Sequence, residues 1–312
     1  MDTYMDLTCY GDNGAELLKK CREKVVLLEQ LLDYNSTESD LYLLNHSKGT
    51  PVTVHGDTAE VIRSAQRYAL LTGGAFNTAV GDLIRLWGFE TDTPSVPDPS
   101  GIKECLPVLD TGLIRVDGNT VTVPDGCSLH MGAIAKGYCS DCLKDILVSG
   151  GIRSACLSLG GNITVVGKKP DGSLWRIAVQ DPVSSEAYLG VLELESTNAV
   201  TSGGYQRYYE QDGIRYSHIL DPKTGYPADS GLLSVTVISG SGAAADALAT
   251  AFYVLGKEES VRICRSMPAQ ERPDGVLFVH EDGSVSILGE LNFTPEKGVR
   301  VSYIDQDLPV TE

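Results

Sequence analysis

The sequence predicts an α+β fold, in which hairpin-rich mixed or antiparallel sheets pack against helices. Three Asp-Gly pairs, at residues 117–118, 212–213 and 282–283, lie between alternating or β-branched runs. An Asp-Gly pair in that setting is a strong signal of a hairpin turn. Helical periodicity interrupts these strands without a strict strand–helix alternation, and this favours α+β over a doubly wound parallel sheet.

Four stretches of the chain have the apolar spacing of helices that bury one face. These stretches are residues 14–32, 57–72, 133–148 and 243–255. Glycine follows each of the last three within two residues, and it is the usual residue just beyond a helix end.

Strand signals occupy much of the remaining chain. Residues 232–239 form an apolar, β-branched run that predicts a buried strand. The segment Gly160-Gly161-Asn162 separates two further β-rich runs and is a fourth hairpin candidate. Residues 92–101 contain three prolines with Asp and Ser, which predicts a loop.

The composition bounds the functional class. The 312 residues are 42% hydrophobic, enough to bury the core of one large domain or of two lobes. Acidic residues outnumber basic ones by 42 to 25, which gives a formal net charge of −17. This charge argues against a nucleic-acid binder, whose affinity comes from neutralising phosphates, and against binding to an anionic membrane surface. An anionic small ligand would need a local device such as a metal ion, a helix N-terminus or a lysine.

The eight cysteines do not predict a disulfide scaffold, because a chain of this length does not need covalent staples. Cys139 and Cys142 form a CxxC pair inside a predicted helix, with no second pair, so neither a zinc site nor a redox pair is expected. No run is apolar enough to cross a bilayer, and the first residues lack the features of a signal peptide. The compartment stays open between a cytoplasmic protein and an exported or membrane-anchored one whose N-terminal segment was removed.

An acidic residue and a threonine stand four apart in the last predicted helix. Asp246 and Thr250 would share one face, among neighbours that are small or apolar. A buried carboxylate is costly without a partner, and a hard cation such as Mg²⁺ would remove that cost while leaving positions for water and phosphate. The ordinary alternative is an aspartate stabilised by the helix dipole beside a packed threonine, and spacing alone favours it.

Residues 130–138 (HMGAIAKGY) open another predicted helix with small residues and a lysine. Backbone N–H groups at a helix start bind phosphate oxygens readily. A lysine is unfavourable at that end of the helix dipole, so Lys136 indicates an anionic partner. The alternative is a surface lysine on a glycine-rich turn, since the segment matches neither a Walker loop nor a dinucleotide-binding fingerprint.

Two neighbouring segments, residues 201–209 (TSGGYQRYY) and 215–225 (RYSHILDPKTG), combine hydroxyls, glycines, tyrosines and one histidine. Their hydroxyl and backbone donors suit a polar ligand, and tyrosines such as Tyr205 could flank a flat ring. His218 is a candidate acid/base group. A structural histidine beside the Asp-Pro turn is supported about equally by spacing alone.

Residues 74–89 (GAFNTAVGDLIRLWGF), taken alone, predict a loop followed by a packed helix. Together with the segments above, they resemble the FAD:protein FMN transferase family, also called ApbE-like flavin transferases. The family pattern includes Gly-Ala-Phe ending in Leu-Trp-Gly-Phe, Gly-x-Ile-Ala-Lys-Gly-Tyr, Leu-Gly-Gly-Asn, Thr-Ser-Gly, His-Ile-x-Asp-Pro-x-Thr-Gly and Ala-Asp-x-x-Ala-Thr, and all occur here in order. Each block is weak alone, whereas the ordered set spans nearly the whole chain and is highly specific.

The resemblance implies a single domain over residues 1–312, as one body or as two lobes with FAD between them. It implies magnesium as cofactor, with ligands at Asp246, Thr250 and the backbone carbonyl of Ala133. The implied FAD contacts are Met1, Asn35, Ala75, Phe76, Asn77, His130, Lys136 and Leu220. The residues expected to shape the same pocket are Gly160, Gly161, Asn162 and Tyr205.

Two positions depart from the family pattern. His130 stands where the family usually carries Asp, and Asn77 stands where many members carry Asp after the Ala-Phe pair. Both changes remove negative charge near an anionic ligand, and His130 can donate a hydrogen bond where an aspartate would accept one. We expect the histidine to alter flavin affinity or its pH dependence.

The activity implied by the resemblance is magnesium-dependent transfer of FMN from FAD to a Thr or Ser hydroxyl of an acceptor protein, with release of AMP. His218 is the candidate for taking the hydroxyl proton, and Lys136 for stabilising charge. The implied partners are FAD and an acceptor flavoprotein, with no nucleic acid, and with a membrane only through an absent or removed N-terminal anchor. The alternatives are an FAD pyrophosphatase, which uses water as the acceptor, and a non-catalytic FAD-binding protein.

Overall fold

A computed structural model describes residues 3–305 of the chain, and seven α-helices lie within them. The helices are α1 (Gly14–Leu32), α2 (Asp40–Asn45), α3 (Gly56–Leu71), α4 (Gly81–Trp87), α5 (Pro99–Cys105), α6 (Ala135–Ser149) and α7 (Gly242–Ser266). None of these helices is both long and apolar enough to cross a membrane.

The same described residues form sixteen β-strands, most of them joined by tight turns. The first eight are β1 (Met5–Tyr10), β2 (Val52–Thr53), β3 (Arg115–Asp117), β4 (Thr120–Thr122), β5 (Ser154–Leu159), β6 (Asn162–Val166), β7 (Trp175–Gln180) and β8 (Tyr188–Leu194). The others are β9 (Asn198–Gly203), β10 (Tyr208–Gln211), β11 (Ile214–Ser217), β12 (Leu232–Ser239), β13 (Gly275–His280), β14 (Val285–Leu288), β15 (Phe293–Pro295) and β16 (Val301–Ile304).

The described residues divide into two compact units. The first unit comprises Val26–Ala135 and Gly204–Asp229. The second unit comprises residues 3–25, 136–203 and 230–305. The division falls within α1 and at the first residue of α6, so the segment 130–138 is shared between the two units.

The second unit is built on an eight-stranded sheet with the order β1-β5-β6-β9-β12-β13-β14-β16. Neighbouring strands are antiparallel except β14 and β16, which run parallel. In the middle of the sheet, Val237 of β12 is in register with Val200 of β9 and Val276 of β13. Helix α7 packs against β12 and β9, and Ile238 of β12 packs in a separate cluster with Val179 and Leu192 of β7 and β8. Cover on both faces explains why β12 is buried along most of its length.

The first unit holds helices α2 to α5, the three-stranded sheet β2-β4-β3 and the two-stranded ribbon β10-β11. Trp87, at the end of α4, is fully buried, and its indole N–H donates to the Gly225 carbonyl at 2.8 Å. Leu83, Ile102 and Leu220 pack in the same cluster. The tryptophan therefore connects α4 to the turn that contains Gly225.

The predicted α+β class, with hairpin-rich and largely antiparallel sheets, is confirmed. The three Asp-Gly pairs form the turns of β3–β4, β10–β11 and β13–β14, and Gly160-Gly161 joins β5 to β6. The predicted helix 14–32 and the predicted strand 232–239 coincide with α1 and β12.

Two local predictions were wrong at their ends. The predicted loop 92–101 ends early, because Asp98 accepts the Ser100 N–H at 2.9 Å and Pro99 opens α5 with a preset φ. The helix predicted over 243–255 does break at Gly256, where φ is 75° and ψ is 174°, but helical structure resumes as far as Ser266. The Ser260 hydroxyl, which donates to the Gly256 carbonyl at 2.6 Å, supports that continuation.

Candidate active site

Two glycines allow α6 and α7 of the second unit to approach each other closely. A Cβ added to Gly137 would collide with the carbonyl oxygen of Gly242, and one added to Gly242 would lie 2.5 Å from the carbonyl oxygen of Gly137. Only glycine at both positions permits this contact. As a result the Gly137 N–H reaches the Asp246 carboxylate and donates to its Oδ2 at 2.8 Å.

Asp246 is a buried carboxylate on an alanine-rich face of α7, with 3% of its surface exposed. Its Oδ2 accepts the Gly137 N–H, and its Oδ1 lies 3.8 Å from Lys136 Nζ. Burying an ionised carboxylate is costly unless donors or an opposite charge compensate it. The backbone N–H and the ammonium, both from the first turn of α6, supply that compensation.

Thr250 lies one turn further along α7, as the four-residue spacing predicts. Its hydroxyl lies 3.3 Å from the Asp246 carbonyl oxygen and 3.2 Å from the Ser202 hydroxyl of β9. The sequence treated Ser202 only as one of several hydroxyl donors in residues 201–209. The structure places this side chain beside the predicted metal ligand Thr250, so two hydroxyls lie next to each other one turn of α7 beyond Asp246.

Asp141 of α6 caps the start of α7. Its carboxylate accepts the Gly242 N–H at 2.7 Å, the Ala243 N–H at 3.0 Å and the Ser241 hydroxyl at 3.0 Å. These bonds satisfy N–H groups that no residue of the helix itself can pair, and the negative charge suits the positive end of the dipole. They therefore anchor α7 to α6 one turn before Asp246.

The cap was missed by sequence reasoning, although Asp141 lies inside the CxxC segment. Cys139, two residues before it, is a buried thiol whose pKa burial raises to about 12. All eight cysteines are free thiols. The useful side chain of this segment is the carboxylate between the cysteines, and nothing in the local pattern distinguishes it from a surface aspartate.

The turn between β5 and β6 presents a buried amide. Gly160 and Gly161 have φ of 60° and 94°, the left-handed conformation that favours glycine. Asn162 is 3% exposed, and its Nδ2 is buried without a hydrogen-bond partner in the protein. Leaving such a donor unpaired costs about 1–3 kcal/mol, so this atom is suited to completion by a ligand.

In the first unit, residues Ala75-Phe76-Asn77 form a loop that hydrogen bonds of the Asn77 side chain hold in place. Ala75 and Phe76 are buried, and the Phe76 side chain has no exposed surface, so a ligand there would meet backbone atoms. The Asn77 amide donates from Nδ2 to the Leu109 carbonyl at 2.7 Å and accepts the Ala79 N–H at 2.8 Å. Both ends of this side chain therefore hold the loop in place.

His130 forms a close pair with Glu90. His130 Nε2 lies 2.8 Å from Glu90 Oε1, and the side chains are 17% and 32% exposed. The hydrogen bond from His130 is the main reason why the pKa of the Glu90 carboxyl is lowered from its usual value. The sequence did not indicate Glu90, because it lies 40 residues from His130 and directly follows an apolar block.

The Arg207 carbonyl orients the His218 ring. Its backbone N–H and its Nδ1 both contact the Arg207 carbonyl oxygen, at 3.1 and 3.0 Å. A carbonyl only accepts hydrogen bonds, so Nδ1 carries the proton and Nε2 is the nitrogen that can take another. This geometry is compatible with the predicted role as a base.

The remaining predicted residues are placed as follows. Leu220 is 8% exposed in the Trp87 cluster, and Tyr205 is half-buried just after β9. Asn35 is exposed, with its backbone N–H donating to Asp33 at 2.9 Å, and Ala133 is half-buried in the turn before α6. Met1 lies outside the described residues.

The structure brings Lys136, Asp246 and Thr250 together within the second unit, which also holds the Gly160–Asn162 turn. The predicted residues of the first unit are Asn35, Ala75, Phe76, Asn77, His130, Ala133, Tyr205, His218 and Leu220. Between residues 3 and 305, no three His, Cys, Asp or Glu side chains form a metal-binding group. A set of protein ligands larger than two at Asp246 would therefore need hydroxyl or carbonyl oxygens within this part of the chain.

Known proteins are similar to this chain in both sequence and fold. A profile of the ApbE family matches residues 1–272. The chain is 36% identical over 295 residues to an FAD:protein FMN transferase of Klebsiella pneumoniae (strain 342), covering 93% of this chain and 90% of the relative. It is 35% identical to an FAD:protein FMN transferase of Treponema pallidum (strain Nichols), covering 87% and 80%. The chain belongs to the ApbE family, and the predicted resemblance is confirmed.

Solved structures agree with this assignment. The chain superposes on the ApbE protein of Thermotoga maritima with a TM-score of 0.81 and 31% identity, covering 89% of this chain and 91% of that one. It superposes on the flavin transferase ApbE of Vibrio cholerae with a TM-score of 0.80 and 28% identity, covering 95% and 94%.

Proposed function

We propose that this chain transfers FMN from FAD to a Thr or Ser hydroxyl of an acceptor protein in a magnesium-dependent reaction, releasing AMP. The observation that carries the proposal is the buried Asp246 carboxylate, one turn from Thr250 and 3.8 Å from Lys136 Nζ. Membership of a family whose relatives are named FAD:protein FMN transferases supports it.

The donors around Asp246 fit a hard divalent cation. Mg²⁺ takes one or two protein carboxylates with other hard oxygens and keeps several waters, and Asp246 with the Thr250 hydroxyl supplies such a set. The backbone carbonyl of Ala133 remains a prediction from the resemblance. When bound, magnesium would neutralise charge on the FAD pyrophosphate as its bond breaks.

Lys136 would change partners during substrate binding. Its ammonium is 3.8 Å from Asp246 Oδ1, where it offsets the buried negative charge. A divalent cation at the carboxylate would repel the ammonium, and the pyrophosphate oxygens would be its new partners. Lys136 would then stabilise the charge that accumulates on phosphate in the transition state.

The transfer step itself needs a base and a nucleophile. The acceptor hydroxyl oxygen forms a bond to the FMN phosphorus, while the bond from that phosphorus to the bridging oxygen breaks and AMP leaves with that oxygen. His218 Nε2 takes the hydroxyl proton, because Nδ1 is already donating to the Arg207 carbonyl at 3.0 Å.

The flavin nucleotide would be bound by the remaining predicted contacts. The Asn162 Nδ2, buried and without a protein partner, would donate to FAD. Phe76 and Leu220 would contribute backbone atoms, because their side chains are buried. The other contacts in this proposal are Met1, Asn35, Ala75, Asn77, His130, Gly160, Gly161 and Tyr205.

The test is a mass measurement on an acceptor protein. The chain is incubated with FAD, Mg²⁺ and the flavin-free acceptor of a related transferase, alongside an acceptor in which the target Thr is replaced by Val. We expect an FMN adduct on the first acceptor only. An unmodified acceptor, in a reaction where the related transferase modifies it, would overturn the proposal.

The same reaction separates the two alternatives. AMP and free FMN appearing without any acceptor would identify an FAD pyrophosphatase. FAD that is bound yet stays intact, with Mg²⁺ and acceptor present, would identify a non-catalytic FAD-binding protein. Both nucleotides are resolved from FAD by chromatography of the same samples.

A further inference from the structure

The His130 ring is held at both of its nitrogens. Its Nδ1 lies 3.3 Å from the Gly132 backbone nitrogen, and its Nε2 lies 2.8 Å from Glu90 Oε1. A backbone N–H can only donate and a carboxylate can only accept. The arrangement therefore selects the neutral imidazole with its proton on Nε2, since a proton on Nδ1 would face the Gly132 N–H.

The backbone of His130 is fixed independently of its ring. The His130 N–H donates to the Thr78 carbonyl at 2.7 Å, and the Gly81 N–H donates to the Ser128 carbonyl at 2.9 Å. These bonds join the segment 128–130 to the block that contains Asn77. Two of the predicted flavin-contacting segments are thus adjacent in the first unit, and the Glu90 carboxylate orients the imidazole together with the Gly132 N–H.

The surroundings of the ring are aromatic. The Tyr34 ring lies 5.5 Å from the imidazole, at an angle of 58° between the planes. The Arg85 guanidinium, 5.3 Å from the Tyr34 ring centre, bonds the Tyr34 hydroxyl and also pairs with Asp82 at 3.2 Å. The cation that bonds Tyr34 is therefore already paired with a carboxylate.

The neutral ring offers little to a phosphate group. With Nε2 donating to Glu90 and Nδ1 facing the Gly132 N–H, the imidazole has neither a positive charge nor a free donor for a phosphate oxygen. The Glu90 carboxylate beside it is ionised at neutral pH, and the Arg207 guanidinium is the nearby cation that helps to lower its pKa. An uncharged imidazole beside a tyrosine suits instead a flat heterocycle, which gains from ring stacking and loses little to the nearby charge.

We propose that Glu90 is a positioning residue, which holds His130 as a neutral Nε2–H imidazole so that the ring meets a heterocycle of FAD and not its pyrophosphate. This inference rests on the proposed binding of FAD. The heterocycle is either the isoalloxazine or the adenine, which share a flat aromatic surface. Glu90 itself does not touch the substrate.

The first test is a double-mutant cycle on FAD binding, in which binding is measured by the quenching of flavin fluorescence. Glu90→Ala is expected to raise the FAD dissociation constant about fivefold in the wild-type background and to have no further effect in a His130→Ala background. Glu60→Ala, which removes the partner of Arg63 on α3, is the matched control and should leave the constant unchanged. Equal effects of Glu90→Ala in both backgrounds would overturn the positioning role.

The second test measures which nitrogen of the His130 ring carries the proton, and it requires neither FAD nor the transfer reaction. Long-range ¹H–¹⁵N spectra of the imidazoles should show His130 with its proton on Nε2 in the wild type. In Glu90→Ala only the Gly132 N–H remains to oppose a proton on Nδ1, so the preference should weaken, whereas Glu90→Gln, whose amide oxygen still accepts a bond, should keep it. A Glu90→Ala spectrum identical to the wild type would contradict the inference, even if FMN transfer is demonstrated.

Fragment ligands decide which part of FAD is involved. Riboflavin, adenosine and inorganic pyrophosphate are each used to compete with FAD on wild type and on Glu90→Gln and Glu90→Ala. If only riboflavin competes less well on Glu90→Ala than on wild type, the ring meets the isoalloxazine. If only adenosine does so, the ring meets the adenine. A change confined to pyrophosphate would overturn the ring assignment, whereas failure of the transferase proposal would appear only in the acceptor assay.

Discussion

Two acid–base pairs of this protein differ in how they are built. The Lys136–Asp246 pair of the second unit is carried by two helices, and Asp246 is 3% exposed. The His130–Glu90 pair of the first unit joins residues outside regular elements, with side chains 17% and 32% exposed. Both pairs also accept a backbone N–H, from Gly137 or from Gly132, so burial is what separates them. Changes to the nearly fully buried Asp246 should therefore be far more damaging.

The largest expected effect is on catalysis through Asp246. Asp246→Asn keeps the size of the side chain and removes its charge, so it should lower the FMN transfer rate about 100-fold or more. The rate is measured from the acceptor mass at fixed FAD and Mg²⁺. Asp145→Asn, an exposed aspartate on α6, is the control and should transfer normally. A rate within twofold of wild type for Asp246→Asn would remove Asp246 from the site.

The next effect concerns the contact of α6 with α7. Gly137→Ala would push its Cβ against the Gly242 carbonyl oxygen, so unfolding in urea should show a loss of about 1–3 kcal/mol or more. Gly240→Ala adds a Cβ that meets no atom within 4 Å and should change stability by less than about 0.5 kcal/mol. Equal stabilities for the two variants would mean that the helices are not held by this contact.

A smaller loss is expected from the cap of α7. Asp141→Ala removes the acceptor of the Gly242 and Ala243 N–H groups and should destabilise the protein by about 1–2 kcal/mol. Asp145→Ala, on the same helix, should be close to neutral. Because α7 carries Asp246, the Mg²⁺ concentration that gives half-maximal transfer should also rise in Asp141→Ala. No change in either quantity would contradict the cap.

The smallest expected effect is the pH-dependent contribution of Glu90 to the free energy of unfolding. The folded state lowers the pKa of the Glu90 carboxyl below its usual 4.5, so the ionised group stabilises the fold above that pH. This contribution is lost as the pH falls through the lowered folded-state pKa. The stability difference between wild type and Glu90→Gln should therefore be less than about 1 kcal/mol at pH 7 and should shrink below pH 4.5. A stability difference that grows as the pH falls would mean that folding raises the Glu90 pKa, which would contradict this prediction.

The same contrast explains what the sequence could predict. The shared face of Asp246 and Thr250 was predictable because a helix places residues four apart on one side, and α1, β12 and the hairpins follow from local periodicity and turn residues. Glu90 and Asp141 were not, since their partners lie 40 and about 100 residues away. Pairings at that distance depend on tertiary structure.

The ends of elements show the same limit. Pro99 and Gly256 were taken as marks of irregular structure, yet one begins α5 and the other only interrupts α7. Asp98, which accepts the Ser100 N–H, caps the helix that Pro99 opens, and the Ser260 hydroxyl, which donates to the Gly256 carbonyl, supports the helix beyond the break. The residue type was informative, but its effect depended on a neighbouring side chain.

The most direct test of the account is thermal unfolding with FAD, in the presence and absence of Mg²⁺, for wild type and Asp246→Asn. A ligand that binds only the folded state raises the unfolding temperature. The account predicts that Mg²⁺ adds to the shift produced by FAD in the wild type and adds nothing in Asp246→Asn. The same Mg²⁺-dependent increment in both proteins would contradict a magnesium site at Asp246.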